Sequence, residues 1–205
     1  MRSFLPVAAV LALLSALNPV AANATTMRYA DIPTLTMHSD VVVRGQIVDQ
    51  QVFLDPASGR ISTRWTVSVE SALKGGRTGL VSFVQWGGTL DGMVDYIPGD
   101  ARFELREHVI VFLRTGDTGE LNLTAMGQSR IEVLDPNLPS TGLPVTEAVM
   151  GPLQMVTGPV GVRDLRDISF YQQVDDAADI THIDFEMLSI ESIESIILEA
   201  AEVDR

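Results

Sequence analysis

From Ile61 to Glu70, apolar and polar side chains alternate without a break. Ile61, Thr63, Trp65, Val67 and Val69 fall on one face of an extended chain, and Ser62, Arg64, Thr66, Ser68 and Glu70 on the other. A helix would scatter these residues around its circumference, whereas a strand sends successive side chains to opposite faces. The pattern predicts a half-buried antiparallel strand. The preceding segment repeats the period, with Val41, Val43 and Ile47 on one face and Arg44 and Gln46 on the other. Between them lies Asp55-Pro56-Ala57-Ser58-Gly59, where proline presets φ and glycine supplies a left-handed position. The two runs predict one long hairpin.

Four further segments read as strands: Leu80 to Trp86, His108 to Leu113, Glu120 to Ala125 and Gln128 to Leu134. His108 to Leu113 is apolar on both faces, which predicts a strand lying deep in the fold. Thr115-Gly116-Asp117-Thr118-Gly119 predicts a tight turn. Ahead of the hairpin, Tyr29 to His38 predicts a short helical turn with Pro33 near its start. Five or six short strands separated by turns predict a small barrel or sandwich.

The remainder changes character. Asp135 to Pro159 holds Pro136, Pro139, Pro144, Pro152 and Pro159 among apolar residues, and is read as an extended arm across the domain surface. Asp175, Asp176 and Asp179 read as an acidic loop. From Asp184 to Val203, Met187, Ile190, Ile193, Ile197 and Ala200 recur at helical spacing. Docking of that helix on its own domain is the first reading, and a partner-binding helix the second.

The amino terminus bounds location. Met1-Arg2 is followed by an apolar run from Phe4 to Leu17, and Ala22-Asn23-Ala24 offers small residues at a cleavage site. The run falls short of the ~20 residues of a membrane span. Residues 1–24 are expected to be an export signal, with no integral span in the mature chain and a periplasmic or secreted destination. The chain has no cysteine, so it forms no disulfide and offers no thiol chemistry. A net charge of −13 disfavours nucleic acid and anionic lipid as partners.

No H-E-x-x-H, G-x-S-x-G or Walker pattern is present, and His38, His108 and His182 have no metal-ligand spacing. The acidic groups Asp91, Asp95, Asp100 and Asp175, Asp176, Asp179 lack the spacing of a calcium loop and are read as solvated. No catalytic residue, metal or cofactor is assigned. The most distinctive segment is the connection Trp86 to Gly99, which carries four glycines, a proline and two large aromatics. Long connections on a rigid β scaffold often carry function. Trp86, Asp91, Asp95, Tyr96 and Asp100 are the candidate binding residues. The alternative is a structural loop whose Trp86 and Tyr96 plug the end of a barrel.

Four segments occur in an order that resembles a known group. They are Ser39 to Val48, Val67 to Gly75, Gly87-Gly88 with Ile97-Pro98-Gly99 and Ala101-Arg102-Phe103, and Glu107 to Leu113. The group is one of exported bacterial proteins, mostly of unknown function, with an OB-like β-barrel. The first two segments are also distantly similar to tissue-inhibitor-of-metalloproteinase and netrin-like modules. Those inhibitors reach the protease zinc through an amino-terminal cysteine, which this chain lacks, so no inhibitory residue is carried over. A glycine is usual in the turn before Glu107, where this chain has Leu105 and Arg106.

The expected architecture is mainly β. It comprises a five- to six-stranded OB-like barrel (25–134), a Pro/Gly-rich arm and acidic loop (135–182) and a C-terminal amphipathic helix (183–205). The expected function is that of a non-enzymatic exported module that binds an extracytoplasmic protein or surface ligand. The alternatives are an exported hydrolase with a dispersed site and a structural envelope component.

Overall fold

A computed structural model describes residues 25–135, 158–166, 168–174, 177–181 and 185–204. The expected export signal, most of the Pro-rich arm, and Asp175 and Asp176 lie outside the described residues.

The chain is mainly β, with a short helix near its start and a longer one near its end. Strand β1 (Thr25–Met27) precedes helix α1 (Ile32–Met37). Asp31 caps α1 by accepting from the Thr34 N–H at 2.9 Å, and Pro33 sits in its first turn, where the missing N–H has no helical partner to lose. The predicted hairpin follows as β2 (Val41–Leu54) and β3 (Ile61–Lys74), both longer than the alternation alone marked. Asp55 closes their turn by accepting from the Ala57 and Ser58 N–H groups.

Next come β4 (Leu80–Trp86), β5 (Gly88–Leu90), β6 (Met93–Asp95), β7 (His108–Thr115), β8 (Leu121–Leu123) and β9 (Arg130–Leu134). Beyond the proline-rich stretch are β10 (Val160–Asp164), β11 (Ile168–Val174), β12 (Ala177–Thr181), β13 (Phe185–Ser189) and helix α2 (Ile190–Val203).

Eight strands form one sheet in the order β13-β10-β9-β7-β2-β3-β4-β8. This corrects the expected five or six. All six predicted segments contribute to the sheet, two of them shortened: β8 covers only Leu121–Leu123, and β9 begins at Arg130 because Met126–Ser129 form a 3-10 turn. Strands β10 and β13 are added from stretches assigned to the arm and the helix. Strand β10 was hidden because it is short and Gly161 interrupts its apolar run. Strand β13 was hidden because Met187 fits the helical spacing of Ile190 and Ile193 as well as it fits a strand. The helix therefore starts at Ile190, capped by the Ser189 hydroxyl accepting from the Ser192 N–H. Asp179, expected in an acidic loop, lies in β12, which pairs with β11 beside β1 in a separate three-stranded sheet.

Strand β7 pairs with β2 along one edge and, in its second half, with β8 on the other. Strand β8 meets β4 through one parallel bridge, Val84 to Asn122. The pairings β2-β3-β4-β8-β7 therefore return to β2 in a closed circuit. Val41, Val43, Ile47, Trp65, Val67, Val81, Phe83, Phe103, Val109, Val111 and Leu113 pack together as one core. The opposite faces of the same strands contribute Val42, Leu73, Ile110 and Phe112 to a second core. Leu35 of α1 and Ile190, Ile193 and Ile197 of α2 cover it. Strand β7 thus has apolar partners on both faces, as its composition requires. Helix α2 docks in cis. Gly161 permits its close approach, because a Cβ there would lie 2.8 Å from Ile131 Cγ2 and closer still to Ile193 Cδ1.

Candidate functional site

The connection after β4 is ordered by its own secondary structure. Strands β5 and β6 pair as a small hairpin, Gly88 with Asp95, Thr89 with Val94 and Leu90 with Met93. Asp91 and Gly92 make its turn, both with positive φ. The hairpin lies against the far end of β2–β3. A Cβ on Gly88 would crowd Thr63 Oγ1 and Val52, and Gly88 has φ +140°; both facts call for glycine. Thr63 Oγ1 donates to the Gly87 carbonyl at 2.7 Å.

Two arginines hold the aromatic residues of this loop. The Arg60 guanidinium lies 5.2 Å from the Trp86 ring centroid and 3.3 Å from Asp95. Arg102 lies 5.4 Å from the Tyr96 ring and donates to the Tyr96 hydroxyl at 2.9 Å. Neither aromatic is buried in the core in the way the structural alternative expected. Trp86 is 59 % exposed and Tyr96 52 %. The core of these strands is filled instead by other aromatics, Trp65 and Phe103 with ring centroids 5.6 Å apart and Phe83 against Phe103 at 5.2 Å.

The five sequence-chosen residues therefore separate into three kinds. Trp86 and Tyr96 are exposed and arginine-braced. Asp95 is engaged with Arg60, and Asp91 is an exposed turn residue. Asp100 belongs to the scaffold: it accepts from the Ala101 N–H at 2.8 Å, and Gln85 beside it bridges Trp65 Nε1 and the Ala101 carbonyl. Burial pushes the Asp100 carboxyl above its ordinary range, against the hydrogen bonds from Gln85 and Ala101. Among the described residues, no group of three or more His, Asp or Glu side chains is placed to hold a metal ion.

Sequence reasoning missed Met93, Val94, Arg60 and Arg102. Met93 and Val94 are exposed large apolar residues on β6. The signal for Arg60 was present. It stands one residue before β3, and the register pairs Ser62 with Trp86, so Arg60 lies at the Trp86 end of the hairpin.

Charged residues elsewhere serve the scaffold. Arg130 is buried, 2.9 Å from Glu107 and 3.2 Å from Glu132, with Phe103 beneath it. The two carboxylates hold its guanidinium charged against the cost of burial. Arg163 is buried between Glu186 and the Ala30 carbonyl, at the base of an apolar groove of about 800 Å³ between α1, α2 and β13. No helix among the described residues is long and apolar enough to cross a membrane. No protein-family model and no curated protein matches the chain.

Proposed function

We propose that the chain is an exported, non-enzymatic binding module that engages an extracytoplasmic protein through Trp86, Met93, Val94 and Tyr96. The carrying observation is that these four large side chains, close together along one ordered loop, stay exposed while the core beneath them is already filled. Large apolar side chains left exposed within one short ordered segment are candidates for an interaction site, although Met93 and Val94, successive in β6, project from opposite faces of the hairpin. The composition fits one: aromatic residues, methionine and arginine are the types enriched at protein interfaces. Arg60 and Arg102 pre-order the aromatic rings, which lowers the entropy lost on binding. In this reading the circuit β2-β3-β4-β8-β7 is the OB-like barrel that the resemblance implies. The strongly acidic composition favours protein over nucleic acid as the partner.

The test is capture of partners from envelope and secreted fractions with the wild-type chain, Trp86→Ala and Tyr96→Ala. The reading predicts specific partners on the wild type that both variants lose. An identical set of partners on all three proteins would remove the loop from consideration.

A further inference from the structure

We infer that the open edge of β4 accepts an extended peptide segment of a partner as an added strand, with an acidic side chain opposite Arg77. This surface is distinct from the Trp86–Tyr96 loop, and the inference does not rest on that reading.

The hydrogen bonds at the two ends of the β3–β4 ladder fix which backbone groups are free. The Val69 N–H donates to the Gly79 carbonyl and the Gly87 N–H to the Ile61 carbonyl, both at 2.8 Å. With Ser62 opposite Trp86 and Ser68 opposite Leu80, the odd-numbered residues of β4 exchange their bonds with β3. The backbone groups of Leu80, Ser82 and Val84 therefore point away from it. Val84 is met by the bridge to Asn122. Leu80 and Ser82 have no strand partner on that side among the described residues, because β8 begins only at Leu121. The preceding chain is held in a turn, with the Gly116 N–H donating to the Glu120 carbonyl and the Gly119 N–H to the Gly116 carbonyl.

The result is a cleft of about 310 Å³ between β4 and residues 119–121, with Phe83 among its lining residues and Arg64 and Arg77 on its walls. Folded proteins usually blunt such an edge with proline or a bulge, or cover it. Here β4 has neither proline nor an irregularity in its pairing with β3, and Leu80 is 69 % exposed.

The free groups define the occupant. A row of main-chain donors and acceptors is satisfied by another extended main chain. Arg64 is already paired with Glu120 at 2.8 Å. Arg77 is exposed and has no carboxylate partner among the described residues, so an acidic side chain on the incoming strand complements it.

The test is to pan random heptapeptides displayed on phage against the folded protein, then follow amide hydrogen exchange with the synthesised winner. The inference predicts winners that alternate β-branched and acidic residues. It also predicts exchange at Leu80 and Ser82 slowed on the order of tenfold or more. Methylating the peptide nitrogens that face β4 is expected to abolish binding, and Arg77→Glu to weaken it by about tenfold. Ser82→Pro removes an outward donor and is expected to abolish binding while near-ultraviolet dichroism stays native. Should that variant unfold, the methylated peptide decides the question. Winners that bind equally well when methylated, winners that protect amides elsewhere, or no enrichment at all would overturn the inference. Protection of Leu80 and Ser82 by protein concentration alone would also overturn it, in favour of pairing between two copies.

Discussion

Arg60 stacks 5.2 Å from the Trp86 ring centroid while reaching Asp95 at 3.3 Å. One side chain from the β2–β3 turn therefore ties the residue that ends β4 to the residue that ends β6. The pair is partly solvated, so its energetic weight is small, about 1 kcal/mol or less. Arg60→Ala is expected to leave the urea midpoint almost unchanged. It should alter the environment of Trp86, which is read as a shift in the accessibility of tryptophan fluorescence to a neutral quencher.

Two aspartates have opposite linkage to pH. Asp40 accepts from the Thr115 N–H at 2.6 Å, and that bond lowers its carboxyl below the ordinary value. Its contribution is present above the unfolded carboxylate pKa and is lost as pH falls through the lower folded value. Asp100 is raised by burial. The folded state therefore holds its proton longer than the unfolded state does, and stability falls as pH rises from the unfolded to the folded value. Chemical unfolding of Asp40→Asn and Asp100→Asn across pH 3 to 7 checks both, using the ordinary carboxylate range near ~4 as the reference. Asp40→Asn should reduce the loss at the acid end. Asp100→Asn should remove a loss that develops above that range.

Arg106 occupies the turn before Glu107 with φ +73°. Its N–H donates to the Ile47 carbonyl at 2.8 Å and its carbonyl accepts from Gln46, so the turn is tied to β2 on both sides. A left-handed backbone favours glycine, so arginine at this position is strained. Arg106→Gly is expected to stabilise the protein by ~1 kcal/mol, as relief of left-handed strain outweighs the added freedom of the unfolded chain. Urea unfolding measures it.

Gly45 in β2 lies against the backbone of β3, and a Cβ there would run into the Ser68 carbonyl oxygen. Backbone cannot move aside as a side chain can, so Gly45→Ala should cost more than ~2 kcal/mol. For Gly161→Ala the three nearest atoms to the new Cβ are side-chain methyls of Ile193, Ile131 and Ile190, and the change should cost less, about 1–2 kcal/mol. Parallel thermal melts of the two variants rank them, and equal melting temperatures would contradict the ranking.

The scaffold was legible where one periodicity stood alone. The Ile61–Glu70 alternation, the two-faced His108–Leu113 run and the Asp55–Gly59 turn all appear as read. Legibility failed where two periods overlap. Met187 belongs to both a strand pattern and a helix pattern, and pairing with β10 decides for the strand. Gly161 read as a break in a run, yet it is buried beneath α2. At the candidate site the aromatic residues were visible as residue types, and their exposure was not. The core aromatics are Trp65, Phe83 and Phe103, and no sequence pattern separates them from Trp86 and Tyr96. Asp100 shows the converse, since nothing in a sequence distinguishes a carboxylate that supports a loop from one that faces a partner.

The central claim is that the β5–β6 hairpin is the contact element, and Val94, 72 % exposed on β6, lies within it. The direct measurement is photocrosslinking in living cells with p-benzoylphenylalanine replacing Val94, compared with the same replacement at Val48, an exposed residue of β2. The account predicts a discrete crosslinked species from Val94 that is lost when Trp86→Ala is added, and none from Val48. No crosslink from Val94, or the same species from both positions, would contradict it.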